Sequence, residues 1–164
     1  MTIDQVIEKV KRMGPRLVEL TGGEPLAQAA SIDLCQRLVE AGYKVMIETS
    51  GAFDVSALPE SVHIVMDLKC PDSGMEHKNR YENIKVLKPT DDIKFVVASY
   101  EDFLWADNLV REHKLDESSN VLISPAFGLV KPHELVAWLL ETKLNARLNL
   151  QIHKYIWSPK KKGV

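Results

Sequence analysis

Two rhythms of apolar residues alternate along this chain. Ile3, Val6, Ile7 and Val10 recur at three and four residues behind Thr2 and stop at Gly14-Pro15, which predicts an amphipathic helix with a threonine cap. Residues 17–21 then alternate branched and polar side chains, the period of a strand. Gly22-Gly23 permit a tight turn that residues with a Cβ resist, and Glu24-Pro25 open the next helix, since proline is tolerated in a first turn. Residues 26–41 carry Ile32, Leu34, Cys35, Leu38 and Val39 on one broad face and end at Gly42.

The alternation continues to the C-terminus. Strands are predicted over 44–50, 62–69, 92–99, 120–127 and 147–157, with helices over 100–114 and 132–142 and a short helix over 81–87. Strands separated by helices build a largely parallel sheet with right-handed crossovers in an α/β fold. No internal repeat, low-complexity segment or linker interrupts residues 1–164, so a single domain is expected.

The polar residues within the strands refine this picture. A strand covered by helices on both sides is apolar on both faces. Here Glu19 and Thr21 oppose Val18 and Leu20, Met46, Glu48 and Ser50 share a face, Asp67 shares one with Lys69, Lys94 with Val96, and Gln151 with His153 and Tyr155. One polar face per strand suits a curved sheet whose concave side holds a ligand, with the chemistry at the C-terminal strand ends, better than a flat sheet packed on both faces.

Composition excludes several classes of function. A formal charge of -2 and a pI near 6.2 leave no basic field for nucleic acid or an anionic membrane, and Lys160-Lys161-Lys162 reads as a solvated tail. Charges throughout residues 1–13 leave no apolar core for a signal peptide, and the longest uncharged stretches, such as 120–130, fall short of the roughly 18 residues of a membrane span. A soluble, cytoplasmic protein is expected. Cys35 and Cys70 lack Cys-x-x-Cys spacing, and Cys35 falls on the apolar face of its helix. The five histidines show no metal-binding spacing; His113 and His133 read as surface or capping residues, while His153 falls in a predicted strand beside Gln151 and can meet a ligand. Trp105 and Trp138 fit helical packing positions.

Taken singly, the candidate motifs stay ambiguous. Gly22-Gly23-Glu24-Pro25 reads equally as a tight turn, Glu48-Thr49-Ser50-Gly51 as a cap, and Asp67-x-Lys69 as an ion pair. A phosphate site at Gly22-Gly23 is disfavoured by the charge of Glu24. What distinguishes them is order: three successive strands end in acidic or hydroxyl residues with a glycine.

Together, Thr21-Gly-Gly-Glu-Pro25, Glu48-Thr-Ser-Gly51, Asp67-Leu-Lys-Cys-Pro-Asp-Ser-Gly74, Ile93-Lys-Phe-Val-Val97, Ser124-Pro125 and Gln151-Ile-His-Lys-Tyr-Ile-Trp157 resemble the radical S-adenosylmethionine superfamily. Within it they resemble the 7-carboxy-7-deazaguanine synthase family of queuosine biosynthesis. The resemblance implies an α/β fold that is a partial, open (β/α) barrel with parallel strands, S-adenosylmethionine, a 4Fe-4S cluster and Mg2+ as cofactors, a pterin substrate and a homodimer. It implies that Gly22, Gly23 and Glu24 meet the methionine amino group, and that Glu48 and Ser50 face the ribose and methionine carboxylate. Lys69 and Ser73 would face the same polar end, Phe95 with Val96 and Ser124 with Pro125 would flank the adenine, and Gln151 and His153 would lie nearer the pterin. No catalytic residue is assigned. The family holds its cluster with three cysteines of one loop. Cys35 and Cys70 are too few and stand elsewhere, so that loop, and a threonine for magnesium beside it, are expected to precede residue 1. Two readings follow: most of a radical enzyme whose cluster region lies outside this sequence, or a chain that keeps the fold and affinity for nucleosides or pterins without radical chemistry.

Overall fold

The structure is a computed structural model that describes residues 1–158 and 161. Helix α1 (Ile3–Met13) leads into β1 (Leu17–Leu20), followed by α2 (Ala30–Glu40), β2 (Lys44–Thr49), β3 (His63–Leu68) and β4 (Asp92–Val97). Then come α3 (Tyr100–His113), α4 (Leu115–Ser118), β5 (Asn120–Pro125), α5 (Pro132–Thr142), β6 (Arg147–Leu148) and α6 (His153–Ile156). Thr2 caps α1 as expected, in a reciprocal capping box with Gln5. Of the basic run at 160–162, only Lys161 lies within the described residues.

The six strands pair in parallel in the order in which the chain makes them, β1-β2-β3-β4-β5-β6. A doubly wound sheet reverses direction at a switch point. This one never does, so its crossovers advance along the sheet in one direction, the arrangement of a (β/α) barrel left open between β1 and β6.

Register then sorts the side chains. Ile47, Met66, Phe95 and Ile123 point to one face, where they are sealed with Leu38, Phe103, Val110 and Leu135 in the core. Glu48, Asp67, Lys94 and Ser124 point to the other. At the N-terminal strand ends the fully buried Asp91 accepts hydrogen bonds from the backbone of Ile64 (3.0 Å) and Lys88 (2.9 Å) and closes that end of the sheet. Among the described residues no helix is long and apolar enough to cross a membrane.

Three predicted boundaries need correction. The strand expected over 147–157 pairs only as far as Leu148, with one further bond from Asn149 N–H to Ile123 O (2.9 Å). Pro125 ends β5, and Ala126 N–H donates to Val97 on the opposite side. Ile152, Tyr155 and Ile156 stand at helical spacing and form α6, so His153 opens a short helix rather than lying in a strand. The helix expected over 26–41 is two pieces, a 3-10 turn at Pro25–Ala27 and then α2, because Gln28 is extended between them. Finally α4 was not expected; Lys114 adopts a left-handed conformation, φ 51°, that ends α3 and lets Leu115 turn into the core.

Candidate functional site

The site is built from strand ends. Gly22 and Gly23 both have positive φ, 97° and 62°, and a Cβ at either would meet nothing, so the turn after β1 is bare backbone facing open space. Glu24 folds back beneath it. One carboxylate oxygen accepts from Leu26 N–H (2.9 Å) and Thr49 Oγ1 (2.8 Å), the other from Ser50 N–H (2.7 Å) and the Ser50 hydroxyl. Burial by itself would raise the Glu24 pKa, but the Ser50, Leu26 and Thr49 hydrogen bonds outweigh it and hold the carboxyl below its usual range. Glu24 thus ties the β1 turn to the end of β2, and all four bonds are internal.

A line of alternating charge crosses the open face. Lys94, only 8% exposed, meets Glu48 on one side and Asp67 Oδ2 (3.8 Å) on the other, and Lys69 Nζ donates to the same Asp67 oxygen (2.8 Å). The Thr21 hydroxyl reaches Glu48 at 3.4 Å. Two carboxylates and two ammoniums cancel formally, which is how a buried lysine stays tolerable. Lys69 uses one of its three N–H donors here, and among the described residues the other two have no partner.

Residues far apart in sequence fix the surrounding loops. The Asn79 side chain accepts from Lys69 N–H and donates to Lys69 O, both at 2.9 Å. Asp102 accepts from Asp72 N–H and Ala98 N–H, each at 3.0 Å, locking the loop after β3 to the end of β4. Asn83 donates to Gly51 O (3.0 Å) and Phe53 O (2.7 Å), holding the loop after β2. Sequence reasoning singled out none of these three. The one available signal was Asp102, three residues after the α3 cap Ser99, whose hydroxyl accepts its N–H. Ser73 donates to Cys70 O (2.6 Å) within its own turn.

Two clefts of about 420 Å³ each open on this side. One lies at the ends of β3 to β5, lined by Asp67, Lys69, Ser73, Val96 and Leu129; the other lies along the open face beside Glu19, Glu48, Lys94 and His153. Gln151, from the segment after β6, borders both. Ser124 is fully buried on the same face, and Pro125 ends its strand. Phe95 is the exception among the expected residues. Its ring points to the helix-covered face, edge-on to Trp105 at 6.2 Å between centroids, and it lines neither cleft. A larger depression of about 770 Å³ lies along α1, but it is lined by side chains of one surface helix and its N-terminal Met1, with no buried polar group.

The cysteines do not fit an iron-sulfur cluster. Both are buried; burial pushes the Cys35 thiol up to about 11, and burial followed by the charges of Asp102 and Asp67 pushes Cys70 higher still. Such a cluster takes more than two thiolates, and the sequence holds only two cysteines, one in α2 and one in the turn after β3. Among the described residues no three His, Cys, Asp or Glu side chains are grouped to hold a metal.

No family model matches the chain. Aligned with the 7-carboxy-7-deazaguanine synthase of Koribacter versatilis, it is 42% identical over 179 residues, covering all of this chain and 79% of that protein. The chain belongs to the 7-carboxy-7-deazaguanine synthase family. The family member of Chlorobaculum tepidum is 36% identical over 167 residues, with 76% of its length covered. Among solved structures, QueE from Escherichia coli superposes with a TM-score of 0.73 at 21% identity, covering 92% of this chain and 64% of that one. Streptococcus suis SuiB bound to S-adenosylmethionine gives 0.56 at 19% identity, over 90% of this chain and 40% of that one. At such identities the superpositions establish the fold, the open partial barrel, while the synthase relatives establish the family.

Proposed function

We propose that this chain holds S-adenosylmethionine and a pterin along the open face of its sheet, as the binding part of the reaction that converts 6-carboxy-5,6,7,8-tetrahydropterin to 7-carboxy-7-deazaguanine with loss of ammonia. The observation that carries the reading is a set of three buried polar atoms on that face, Asp67 Oδ1, Ser124 Oγ and Gln151 Oε1, that have no partner among the described residues, in a member of the synthase family. Buried polar atoms are rarely left unpaired, and a ligand is one partner that completes them.

The carbonyl groups of Gly22 and Gly23 would accept from the methionine ammonium while Glu24, bonded internally, holds the turn in place. The two remaining N–H donors of Lys69, with Ser73, suit the methionine carboxylate. Glu48 and Ser50 would face the ribose, and Val96, the Phe95 backbone, Ser124 and Pro125 would flank the adenine. Gln151 and His153, which border the open-face cleft, would face the pterin.

In the family the 4Fe-4S cluster supplies the electron that cleaves S-adenosylmethionine, and magnesium assists. Cys35 and Cys70 do not fit that cluster, and this chain by itself is expected to bind its ligands without turnover. The same reading makes the protein a cytoplasmic homodimer, with neither nucleic acid nor membrane as partner; a single monomeric species in sedimentation equilibrium would contradict the dimer.

Calorimetric titration tests the function. S-adenosylmethionine and pterin-6-carboxylate should each bind the intact chain, and Gly22→Val, which forces a side chain onto φ 97°, should abolish the former. Failure of both ligands to bind would leave the chain a structural remnant of the fold. Anaerobic reconstitution with iron and sulfide should load no cluster; about four irons per chain with cleavage of S-adenosylmethionine would overturn that part of the proposal.

A further inference from the structure

The segment that carries Lys69 and Ser73 is held by hydrogen bonds, not by packing. Residues 71–75 are all exposed, so no apolar contact of theirs fixes where the loop after β3 lies. At one end Asn79 closes two bonds on the Lys69 backbone, both 2.9 Å. At the other the Asp102 carboxylate accepts from Asp72 N–H with Oδ1 and from Ala98 N–H with Oδ2, each at 3.0 Å. Ser99 adds a second tie, since its hydroxyl donates to Asp72 Oδ2 (2.6 Å) while accepting Asp102 N–H (3.1 Å). Three bonds thus close a ring between Asp72, Ser99 and Asp102, and the fourth fastens that ring to the residue after β4. Both strand ends so joined border the same cleft, β3 through Lys69 and Ser73 and β4 through Val96 and Ala98.

A carboxylate is a costly side chain for this place. Asp102 is 1% exposed, and both of its oxygens meet backbone N–H groups rather than a cation. Its position in the first turn of α3, where the helix N-terminus favours an anion, offsets part of that cost. The two donors explain why the charge is kept. Each comes from a different strand end, so both polar atoms of the side chain must accept, and an amide accepts at only one of its two. Asparagine would turn its N–H2 against either Asp72 or Ala98, and in both cases the link between the strand ends is cut.

We infer that Asp102 is a positioning residue of the ligand site: it holds residues 69–73 against the end of β4 and thereby sets the affinity for the amino-acid end of S-adenosylmethionine. The inference rests on the reading given above, in which Lys69 and Ser73 meet the methionine carboxylate while Val96 flanks the adenine. A ligand that spans both strand ends loses affinity when one shifts against the other. A ligand that lacks the amino-acid end does not meet the shifted loop and keeps its affinity. A residue needed only for the stability of the fold would weaken both ligands alike.

The test compares S-adenosylmethionine with 5′-methylthioadenosine, which keeps the adenosine and the thioether sulfur but has no amino-acid end, by calorimetric titration of the full chain and of Asp102→Asn. The wild-type chain should prefer S-adenosylmethionine roughly tenfold or more, the worth of a charge-assisted hydrogen bond. In D102N the preference should fall to within about threefold, with the loss on the S-adenosylmethionine side and the methylthioadenosine affinity unchanged. Thermal melting checks that the variant is folded; if it is not, Ser99→Ala, which removes the tie to the Asp72 carboxylate, should lower the preference in the same way. A full preference that survives in the folded variant, or a loss shared equally by both ligands, would overturn the inference while leaving the S-adenosylmethionine reading intact. Absence of binding by either ligand to the wild-type chain would overturn both.

Discussion

Gly51 shows how closely the turn after β2 is fitted. Its φ of 71° is left-handed, and a Cβ there would sit 2.9 Å from Met66 Cγ, a side chain sealed in the core. Gly51→Ala should therefore cost about 2–4 kcal/mol, the sum of a left-handed residue and an overpacked core, seen as a lower urea midpoint at unchanged slope. Glu24, one strand away, gives a pH dependence. Its folded pKa lies below the usual 4.5, so its contribution is complete above pH 4.5 and is lost as pH falls through the folded value. Glu24→Gln should cost about 1 kcal/mol at pH 7, less than for a sealed carboxylate because water screens a partly exposed one. Below pH 4.5 its stability should fall less steeply than that of the wild-type chain; parallel curves would show that Glu24 bears no such load. The glycines and Glu24 were visible in the sequence as a motif, but the internal pairing of Glu24 with Ser50 was not, since it joins residues of two different strand ends.

Between elements, Lys94 ties β4 to β2 through Glu48 and to β3 through Asp67. Lys94→Ala would leave two carboxylates facing each other with little water, at a cost of about 3 kcal/mol, and Lys94→Ala with Glu48→Gln should recover part of it. Additive losses in that double-mutant cycle would mean the two residues are not coupled. The strands and main helices were legible because periods of two and 3.6 differ plainly over residues such as 44–49 and 100–113. The end of the chain was not: Gln151, His153 and Tyr155 alternate like a strand, while Ile152, Tyr155 and Ile156 also sit on one helical face. Register decides between them, and register depends on where β5 stops. Asn79, Asn83 and the contacts of Asp102 beyond its own helix cap were illegible for a related reason, since each acts on backbone brought close only by the folded sheet.

For the whole molecule, a single structural choice follows from the polar residues in the strands. Six parallel strands in sequential order present one apolar face to the helices and leave one polar face open. Flat sheets covered on both sides do not carry a row such as Glu48, Lys94 and Asp67. The unpaired atoms and one cleft lie toward the C-terminal strand ends, the other cleft runs along the polar face, and Asp91 closes the opposite end. Amide hydrogen exchange with S-adenosylmethionine and pterin-6-carboxylate bound tests this division of the molecule most directly. Protection should appear at residues 48–51, 67–74 and 149–153, with α1 and the loop around Lys88 unchanged. Protection confined to α1 or to the Asp91 end, or no change at the strand ends, would contradict the account.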